Sequence, residues 1–466
     1  MLTYTFEKNS GISLYEQLYR HIKADILSGR LRPGERLPSK RTLSAHLEVS
    51  VVTVQTAYDQ LSAEGYLYTE EKKGYYVMPL APQLPPVPRS AAVKEPPEEE
   101  GWFLDFVTNS IAAEDFPFTV WAKVMRRTIL DRDTGLLRPT PPGGAYELRQ
   151  AIADYLCQFR GMEVEPRQVI IGAGTEVLYH LLIQLLGRDK CYAVEDPGYH
   201  KIARIYENND VQLRRIGLDE SGLSVEKLRQ QQADVVHISP SHHYPTGIVM
   251  PIARRQELLR WAGEQAERYI LEDDYDSEFR FVGRPIPTLF SVDQRERVIY
   301  LNTFSKTIAP SIRISYMILP PHLLERYGET LGFYACTVSG FEQYTLAQFM
   351  AQGHYEQHLS RMKKRYHQKR DQVIRCIRES GSRWEITEQD AGLHFLVKLP
   401  TSLSDGELLR RAAAQGIRLA LLSDYYSRSS EAPPHVLVVN YSGLELSRLT
   451  EGMKRLQKIL EDENHV

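Results

Sequence analysis

The sequence predicts two folded parts, an N-terminal winged helix-turn-helix and a larger α/β domain built on a mostly parallel sheet. Three short helical patterns followed by an aromatic hairpin pattern occupy residues 1–78. Residues 101–466 alternate short apolar runs with helical stretches, the order that produces right-handed crossovers and parallel strands. Between them, residues 79–100 are rich in proline and end in an acidic run, which predicts an extended, semi-rigid linker.

The composition of the 466 residues excludes several classes of protein. Lys and Arg number 57 against 60 Asp and Glu, and a formal charge of −3 argues against a polybasic nucleic-acid coat while permitting one small DNA-reading module. The four cysteines stand far apart without a CxxC pair, so we expect no metal site, no disulfide framework and a cytoplasmic location. No signal-peptide core and no run of about 18 apolar residues is present, so no membrane partner is expected.

Three helical patterns make up most of the N-terminal part. Apolar residues recur every four positions from residue 14 to residue 26, and a Ser-Gly pair ends this first helix. Ser39 is expected to cap a second helix over SKRTLSAHL, and Ser50 a third helix that Gly65 closes. The tight turn between the last two helices predicts a helix-turn-helix, and GYLYTEEKKGYYV predicts the hairpin wing.

The first turn of the third helix is expected to enter the major groove of DNA. There Gln55 can read adenine, and valine or threonine methyl groups can meet those of thymine, while nearby cations contact phosphates or guanine. The predicted DNA-binding residues are Ser39, Lys40, Arg41, Ser50, Thr53, Gln55, Thr56, Lys72 and Lys73. Residues 1–80 carry 10 Lys and Arg against 9 Asp and Glu, a net charge of +1, which indicates modest nonspecific affinity and a dimer that adds two half-sites. A winged helix that contacts protein is the alternative.

Polar residues follow the apolar runs of the large part, at the ends where a parallel sheet places its ligand crevice. The runs are QVIIGAG, YAVEDPGY, DVVHISPS, YILEDDY, VIYLNTFSK and ISYMILP. The polar residues at their ends are Gly174, Thr175, Tyr199, residues 241–244, Asp273 and Lys306. Because they come from separate segments, their convergence predicts a functional site.

Lys306 is a candidate catalytic lysine. A lysine condenses with an aldehyde only as the free amine, so it needs a buried pocket that lowers its pKa. Arg313, seven positions later, offers a forked set of donors for a phosphate. A solvated lysine at a helix start is the alternative.

Four further features favour a pyridine cofactor. Asp273 can keep a pyridine nitrogen protonated, Tyr275 can reach a phenolic oxygen of the same ring, and Tyr199 can stack on it. The backbone of GAGTE, which opens a helix, suits a phosphate. The acidic EDDYD segment is also compatible with a magnesium site, but magnesium would explain neither the lysine nor the stacking tyrosine.

The motifs together resemble a known family. The order GAGT, EDPGY, SPSHHYPTG, EDDYDSEF, TFSK and Arg313 resembles the fold-type I aminotransferases, which depend on pyridoxal 5′-phosphate (PLP). LPSKRTLSAHLEVS and AYDQLSAEGYL resemble the GntR winged-helix family. Their fusion in one chain is similar to the MocR/GabR family of bacterial transcription regulators, which implies a large part over about 101–365 and a smaller C-terminal α/β subdomain over about 366–466.

The resemblance implies roles for individual residues. Lys306 would form the Schiff base, Asp273 would bind the pyridine nitrogen, and Tyr275 would contact the phenolic oxygen. Tyr199 would stack on the ring. The phosphate would be bound by Arg313, Gly174 and Thr175, with Thr303 as a weaker candidate.

Three departures from the family pattern concern the ligands. Tyr244-Pro245 stands where aminotransferases commonly have Asn-Pro, and His242 and His243 either replace the lost contact or are structural. In the GABA-sensing member two arginines hold the ligand carboxylate; by alignment those positions fall on Lys201 and Gly443, so GABA is disfavoured as effector. In the GntR part, Val51 stands where an arginine is common.

The resemblance implies a PLP-dependent regulator that binds double-stranded operator DNA and senses a small amine, an amino acid or PLP itself through Schiff-base chemistry at Lys306. It also implies a homodimer, which the long linker permits to be domain-swapped. At most partial transaminase chemistry is expected. The alternatives are a working aminotransferase with an accessory DNA-binding segment, and a structural DNA-binding protein that responds to no amine.

Overall fold

The computed structural model describes residues 2–7, 11–80, 101–131, 135–283, 286–380, 384–387 and 390–461. The chain divides into two compact units, Met1–Glu99 and Glu100–Val466. Residues 81–100, which hold nearly all of the predicted linker, lie outside the described residues. None of the helices in the described part of the chain is both long and apolar enough to cross a membrane.

The first unit is a three-helix winged helix, as predicted. Its elements are α1 (Leu14–Leu27), α2 (Lys40–Leu47), α3 (Val51–Ala63), β1 (Leu67–Glu70) and β2 (Gly74–Val77). The Ser39 and Ser50 hydroxyls accept hydrogen bonds from backbone N–H groups of α2 and α3, so both predicted caps form. Strands β1 and β2 pair antiparallel as the wing. Apolar faces of all three helices, including Leu18, Leu43 and Leu61, form the core.

The second unit is an α/β domain. Its strands are β3 (Leu104–Asp105), β4 (Val169–Gly172), β5 (Cys191–Asp196), β6 (Gln212–Asp219), β7 (Gly222–Leu223), β8 (Val235–Ile238), β9 (Tyr269–Asp273), β10 (Val298–Thr303), β11 (Ser315–Ile318), β12 (Glu385–Thr387), β13 (His394–Lys398), β14 (Ile417–Arg418) and β15 (Val436–Asn440). Its helices are α4 (Phe118–Asp131), α5 (Tyr146–Arg160), α6 (Thr175–Leu186), α7 (His200–Glu207), α8 (Val225–Gln230), α9 (Ile252–Gly263), α10 (Leu289–Val292), α11 (Pro321–Leu331), α12 (Gly340–Ala351), α13 (His354–Ser380), α14 (Asp405–Ala414) and α15 (Leu446–Glu461).

The main sheet has the strand order β4-β11-β10-β9-β8-β5-β6-β7. Strands β10, β9, β8, β5 and β6 are parallel, while β11 and β7 run antiparallel to their neighbours. Successive residues of one strand enter different apolar clusters, with Ile170 in one and Val169 and Ile171 in another, because helices cover both faces. The mostly parallel sheet confirms the predicted fold class.

A smaller layer at the C-terminal end contains the antiparallel sheet β12-β13-β15. Helices α13 and α15 pack together there, and their buried residues share a cluster with β13 and β15. The short strand β3, from the start of the unit, pairs parallel with β14. The smaller layer therefore includes β3, which precedes β14 by about 300 residues in sequence. Asn440, at the end of β15, lines the site described next.

Candidate functional site

A cavity of about 380 Å³ lies at the carboxyl ends of the parallel strands. Residues that follow β4, β5 and β10, together with Asp273 at the end of β9, meet there. The predicted cofactor and effector residues that line the cavity are Lys306, Asp273, Tyr275, Tyr199, Arg313, Thr175, Thr303 and Lys201. Gly174 immediately precedes Thr175 and abuts Arg313. The structure thus brings together every residue of this predicted set.

Lys306 lies in the loop after β10, with its side chain largely enclosed. Its Nζ donates a hydrogen bond to the Asn109 carbonyl oxygen at 3.3 Å. Burial lowers the pKa of Lys306, and the charge of Asp276 opposes that effect without cancelling it. The amine is therefore neutral, and nucleophilic, in a larger fraction of molecules than a surface lysine would be.

Asp273 is held from one side by buried side chains. The Tyr179 hydroxyl donates to Asp273 Oδ2 at 2.6 Å, and His237 Nε2 lies 3.4 Å from the same oxygen. The Tyr206 hydroxyl is in turn 2.9 Å from His237 Nδ1. Asp273 Oδ1 is buried and has no hydrogen-bond partner among the described residues. Because Asp273 lines the cavity, this oxygen can accept the N–H of a protonated ring nitrogen, so the residues present fit PLP.

The first turn of α6 and Arg313 form the basic end of the cavity. Gly174 caps α6 with φ +94°, and a Cβ there would lie 2.0 Å from Arg313 Nη2, so only glycine allows this approach. The Thr303 hydroxyl lies among those of Ser305 and Ser315, at 3.0 and 2.8 Å. Backbone N–H groups at a helix start beside a guanidinium suit a phosphate.

Glu176 joins the two cations at this end. Its carboxylate contacts Arg313 Nη2 at 2.5 Å and also accepts a hydrogen bond from Lys201. Burial acts to raise its pKa, but the bonds from Lys201 and Arg313 outweigh burial and lower the pKa of Glu176 to about 2. Lys201, the predicted effector residue, is therefore already paired with an anion of the protein.

Two tyrosines and the SHHYPTG segment complete the cavity wall. The Tyr275 hydroxyl lies 3.4 Å from His242 Nδ1, and burial, reinforced by Asp276, raises the pKa of Tyr275. Tyr199 is half exposed and meets Tyr244 edge to face at 5.9 Å. The Tyr244 hydroxyl in turn lies 2.7 Å from that of Tyr425. The tyrosine of the Tyr-Pro pair therefore occupies the cavity wall with a hydroxyl of its own.

The two histidines of this segment take different positions. His243 lines the cavity, whereas His242 lies behind the wall with its Nδ1 2.9 Å from Asp276 Oδ2. Ligand atoms of His242, Asp276 and His394 lie within 4.8 Å of one another, a group whose size is compatible with a metal ion. The His242–Asp276 hydrogen bond already connects two of the three. Gly443 packs against the 108–110 segment, not against the cavity.

Several lining residues were not identified from the sequence. Tyr179 and His237 support Asp273, and Asn440 and Glu195 also line the cavity. Glu195 accepts a hydrogen bond from the Ser239 N–H at 2.9 Å, and burial raises its pKa to about 8. A histidine inside the apolar strand DVVHIS and an asparagine ending VLVVN were available signals, since polar residues in buried strands need partners.

The predicted DNA-binding residues lie on three adjoining elements of the first unit. Arg41 is exposed near the start of α2, and Lys40 Nζ lies 5.6 Å from the centre of the Tyr75 ring. On the wing, Lys72 is exposed and Lys73 pairs with Glu70 at 3.0 Å. Ser39 caps α2, and the remaining predicted residues, Ser50, Thr53, Gln55 and Thr56, lie on the first turns of α3 or cap it.

Comparisons with known proteins agree with both units. Residues 104–430 match the family described as aminotransferase class I and II, and residues 14–77 match the bacterial regulatory proteins of the gntR family. The uncharacterized HTH-type transcriptional regulator YdeL of Bacillus subtilis (strain 168) is 37% identical over 98% of both chains. The probable rhizopine catabolism regulatory protein MocR of Rhizobium meliloti is 30% identical over 97% of this chain and 94% of that protein.

A solved structure shares the fold of the second unit. The kynurenine aminotransferase of Pyrococcus horikoshii, in complex with PMP, superposes with a TM-score of 0.68 at 23% identity, covering 79% of this chain and 93% of that one. The two domain matches agree with the relatives that match the chain over nearly its whole length. The chain belongs to the MocR family of HTH-type transcriptional regulators, in which a GntR DNA-binding domain is joined to an aminotransferase class I and II domain.

Proposed function

We propose that this regulator binds PLP in the cavity through a covalent bond to Lys306, and that a small amine entering the cavity changes its affinity for operator DNA. The observation that carries the proposal is Asp273: one carboxylate oxygen is held by Tyr179, while the other is buried without a partner among the described residues. A pyridinium N–H supplies the missing donor. Lys306, with a lowered pKa, lines the same cavity.

Each residue would then have a distinct task. When bound, PLP supplies an aldehyde that condenses reversibly with primary amines. Lys306 provides the protein amine, and Asp273 holds a proton on the ring nitrogen. Arg313 and the first-turn N–H groups of α6 bind the phosphate, and Tyr275 donates to the phenolic oxygen. Tyr199 covers one face of the ring.

The effector is an amine that competes with Lys306 for the cofactor, or the cofactor itself. Lys201 already contacts Glu176, and Gly443 lies away from the cavity, so the two positions that hold the GABA carboxylate in the related regulator offer no uncommitted cation here. GABA is therefore a poor effector for this chain. An amine whose binding depends less on a carboxylate is favoured.

On DNA, the protein would act as a homodimer in which each winged helix reads one half-site. The net charge of +1 in residues 1–80 gives each module few phosphate contacts, so two modules together are needed for tight binding. The effector must bind one conformation of the dimer better than another, because equal binding shifts no equilibrium.

Lys306→Ala tests the proposal. After incubation with PLP and borohydride reduction, peptide mass mapping of the wild type should show the cofactor on Lys306. The Ala variant should keep its fold and bind DNA, yet lose both the adduct and every response of DNA affinity to amines. Lys201→Ala is the matched control, because Lys201 lines the same cavity and should leave the adduct intact. An unaltered amine response in Lys306→Ala would disprove the proposal.

A working aminotransferase is the second candidate, favoured by the lowered pKa of Lys306, whose side chain lines the cavity. Released from the cofactor, that amine is placed to move a proton of a bound substrate. Keto-acid formation from a panel of amino donors distinguishes the two. Many turnovers per protein would establish the enzyme.

A further inference from the structure

The first two residues of α3 are exposed valines. Val51 is 43% exposed and Val52 is 71% exposed, on the helix that the winged-helix arrangement presents to the major groove. Val52 therefore contributes little to the core of its unit. A winged helix meets DNA through this end of the helix, and DNA is anionic along its backbone and apolar at its thymine methyl groups.

The neighbouring hydroxyl groups are engaged within the helix. Ser50 Oγ accepts from the Thr53 N–H at 3.0 Å and lies 2.8 Å from Thr53 Oγ1. The Thr56 hydroxyl donates to the Val52 carbonyl oxygen at 2.9 Å. The predicted DNA-binding residues Ser50, Thr53 and Thr56 thus already use their hydroxyl groups to cap or brace α3. Methyl groups and the Gln55 amide remain to face DNA.

We propose that Val52 reads the C5-methyl group of a thymine in the major groove, with Val51 completing the same apolar contact. The inference rests on the proposed DNA-binding function and specifies its sequence preference. Thymine exposes its C5-methyl group on the edge that faces the major groove, and aliphatic side chains recognise this apolar group by direct contact. Gln55, one turn along, is placed to pair with an adenine N6/N7 edge, so the half-site should contain adjacent A·T pairs.

The test removes the DNA methyl group and the protein methyl groups separately. A random duplex library is first selected with the full chain, and the preferred duplex is resynthesised with deoxyuridine replacing one thymidine at a time. Uracil pairs as thymine does but lacks the C5-methyl group. Dissociation constants are then measured for the wild type and for Val52→Ala.

For the wild type, one or two uracil positions per half-site should weaken binding about fourfold, the factor expected from one buried methyl group. Val52→Ala should bind the thymine duplex about as weakly, and uracil at those positions should cause no further loss. Leu27→Ala, which truncates an exposed aliphatic side chain on α1, is the control and should keep the full uracil effect. The large exposure of Val52 makes loss of folding by the variant unexpected.

Two results would overturn the thymine assignment while leaving DNA binding intact. In the first, uracil would leave the wild-type dissociation constant unchanged at every position. In the second, the loss caused by uracil and the loss caused by Val52→Ala would simply add. A chain that selects no duplex would instead refute the DNA-binding function, and the assignment with it. The two failures are therefore distinguishable.

Discussion

At the scale of single residues, Glu176 is the group that connects the cofactor and effector ends of the cavity. One carboxylate is shared between Arg313, the proposed phosphate ligand, and Lys201, which the sequence predicted to bind the effector. With a pKa of about 2, it stays ionised at all working pH values. It therefore competes with any incoming anion for both cations.

Glu176→Gln should strengthen PLP binding, because the neutral amide no longer competes for Arg313. An improvement of about fivefold corresponds to about 1 kcal/mol, the upper end of the usual range for a partly exposed charge pair. A titration of the cofactor's visible absorbance measures it. Glu207→Gln, which frees Arg215 at the same cavity, is the matched control. Weaker PLP binding in Glu176→Gln would mean that the carboxylate positions Arg313 for the phosphate.

A second residue-scale effect comes from Glu195, whose pKa burial raises from 4.5 to about 8. The folded protein therefore holds this proton more tightly than the unfolded chain does. The protonated Glu195 side chain stabilises the fold fully below about pH 4.5. The free energy of unfolding then decreases as pH rises toward 8, by no more than about 1.4 kcal/mol per pH unit. Glu195→Gln should remove this loss while keeping an acceptor for the Ser239 N–H.

Thermal unfolding of both proteins at pH 5, 6, 7 and 8 measures that difference. The gap in midpoint should widen in favour of the Gln variant as pH increases. Parallel curves would show that Glu195 is ionised throughout.

At the scale of elements, the start of α6 depends on a glycine. Gly174→Ala should lower PLP affinity at least about tenfold, because its Cβ would lie 2.0 Å from Arg313 Nη2 and force the guanidinium away from the phosphate site. It should also cost about 1 kcal/mol for the strained positive φ. Gly161→Ala separates these effects, since φ is +63° there but a Cβ meets no described atom within 4 Å. Only Gly174→Ala should lose cofactor affinity; equal losses would implicate general destabilisation.

Elements also show which features a sequence reveals. The predicted strand runs coincide with β4, β5 and β8 to β11, because buried strands are continuously apolar. Strand β6 was not predicted: it lies near the sheet edge, where exposed and buried residues mix. The ion pair of Glu176 with Arg313 joins residues 137 positions apart. Such a pairing depends on how the loops after β4 and β10 approach each other, which periodicity does not encode.

At the scale of the whole molecule, regulation requires the cavity and the winged helix to share a conformational equilibrium. Each unit has its own core, and residues 81–100 between them lie outside the described residues. The coupling between ligand binding in the cavity and DNA binding by the winged helix is measured as a free energy. That measurement does not require knowing which residues connect the two sites.

Such coupling is reciprocal, which yields a prediction for the intact protein. If an amine changes the affinity for the selected duplex by some factor, commonly about 5- to 150-fold, saturating duplex must change the affinity for the amine by the same factor. DNA titrations at zero and saturating amine measure the change in DNA affinity. Amine titrations followed by cofactor absorbance, with the selected duplex or a scrambled one, measure the change in amine affinity. Equal factors establish a ligand-responsive regulator. Unequal factors would show that the amine is consumed instead of bound at equilibrium, which is the behaviour of an aminotransferase.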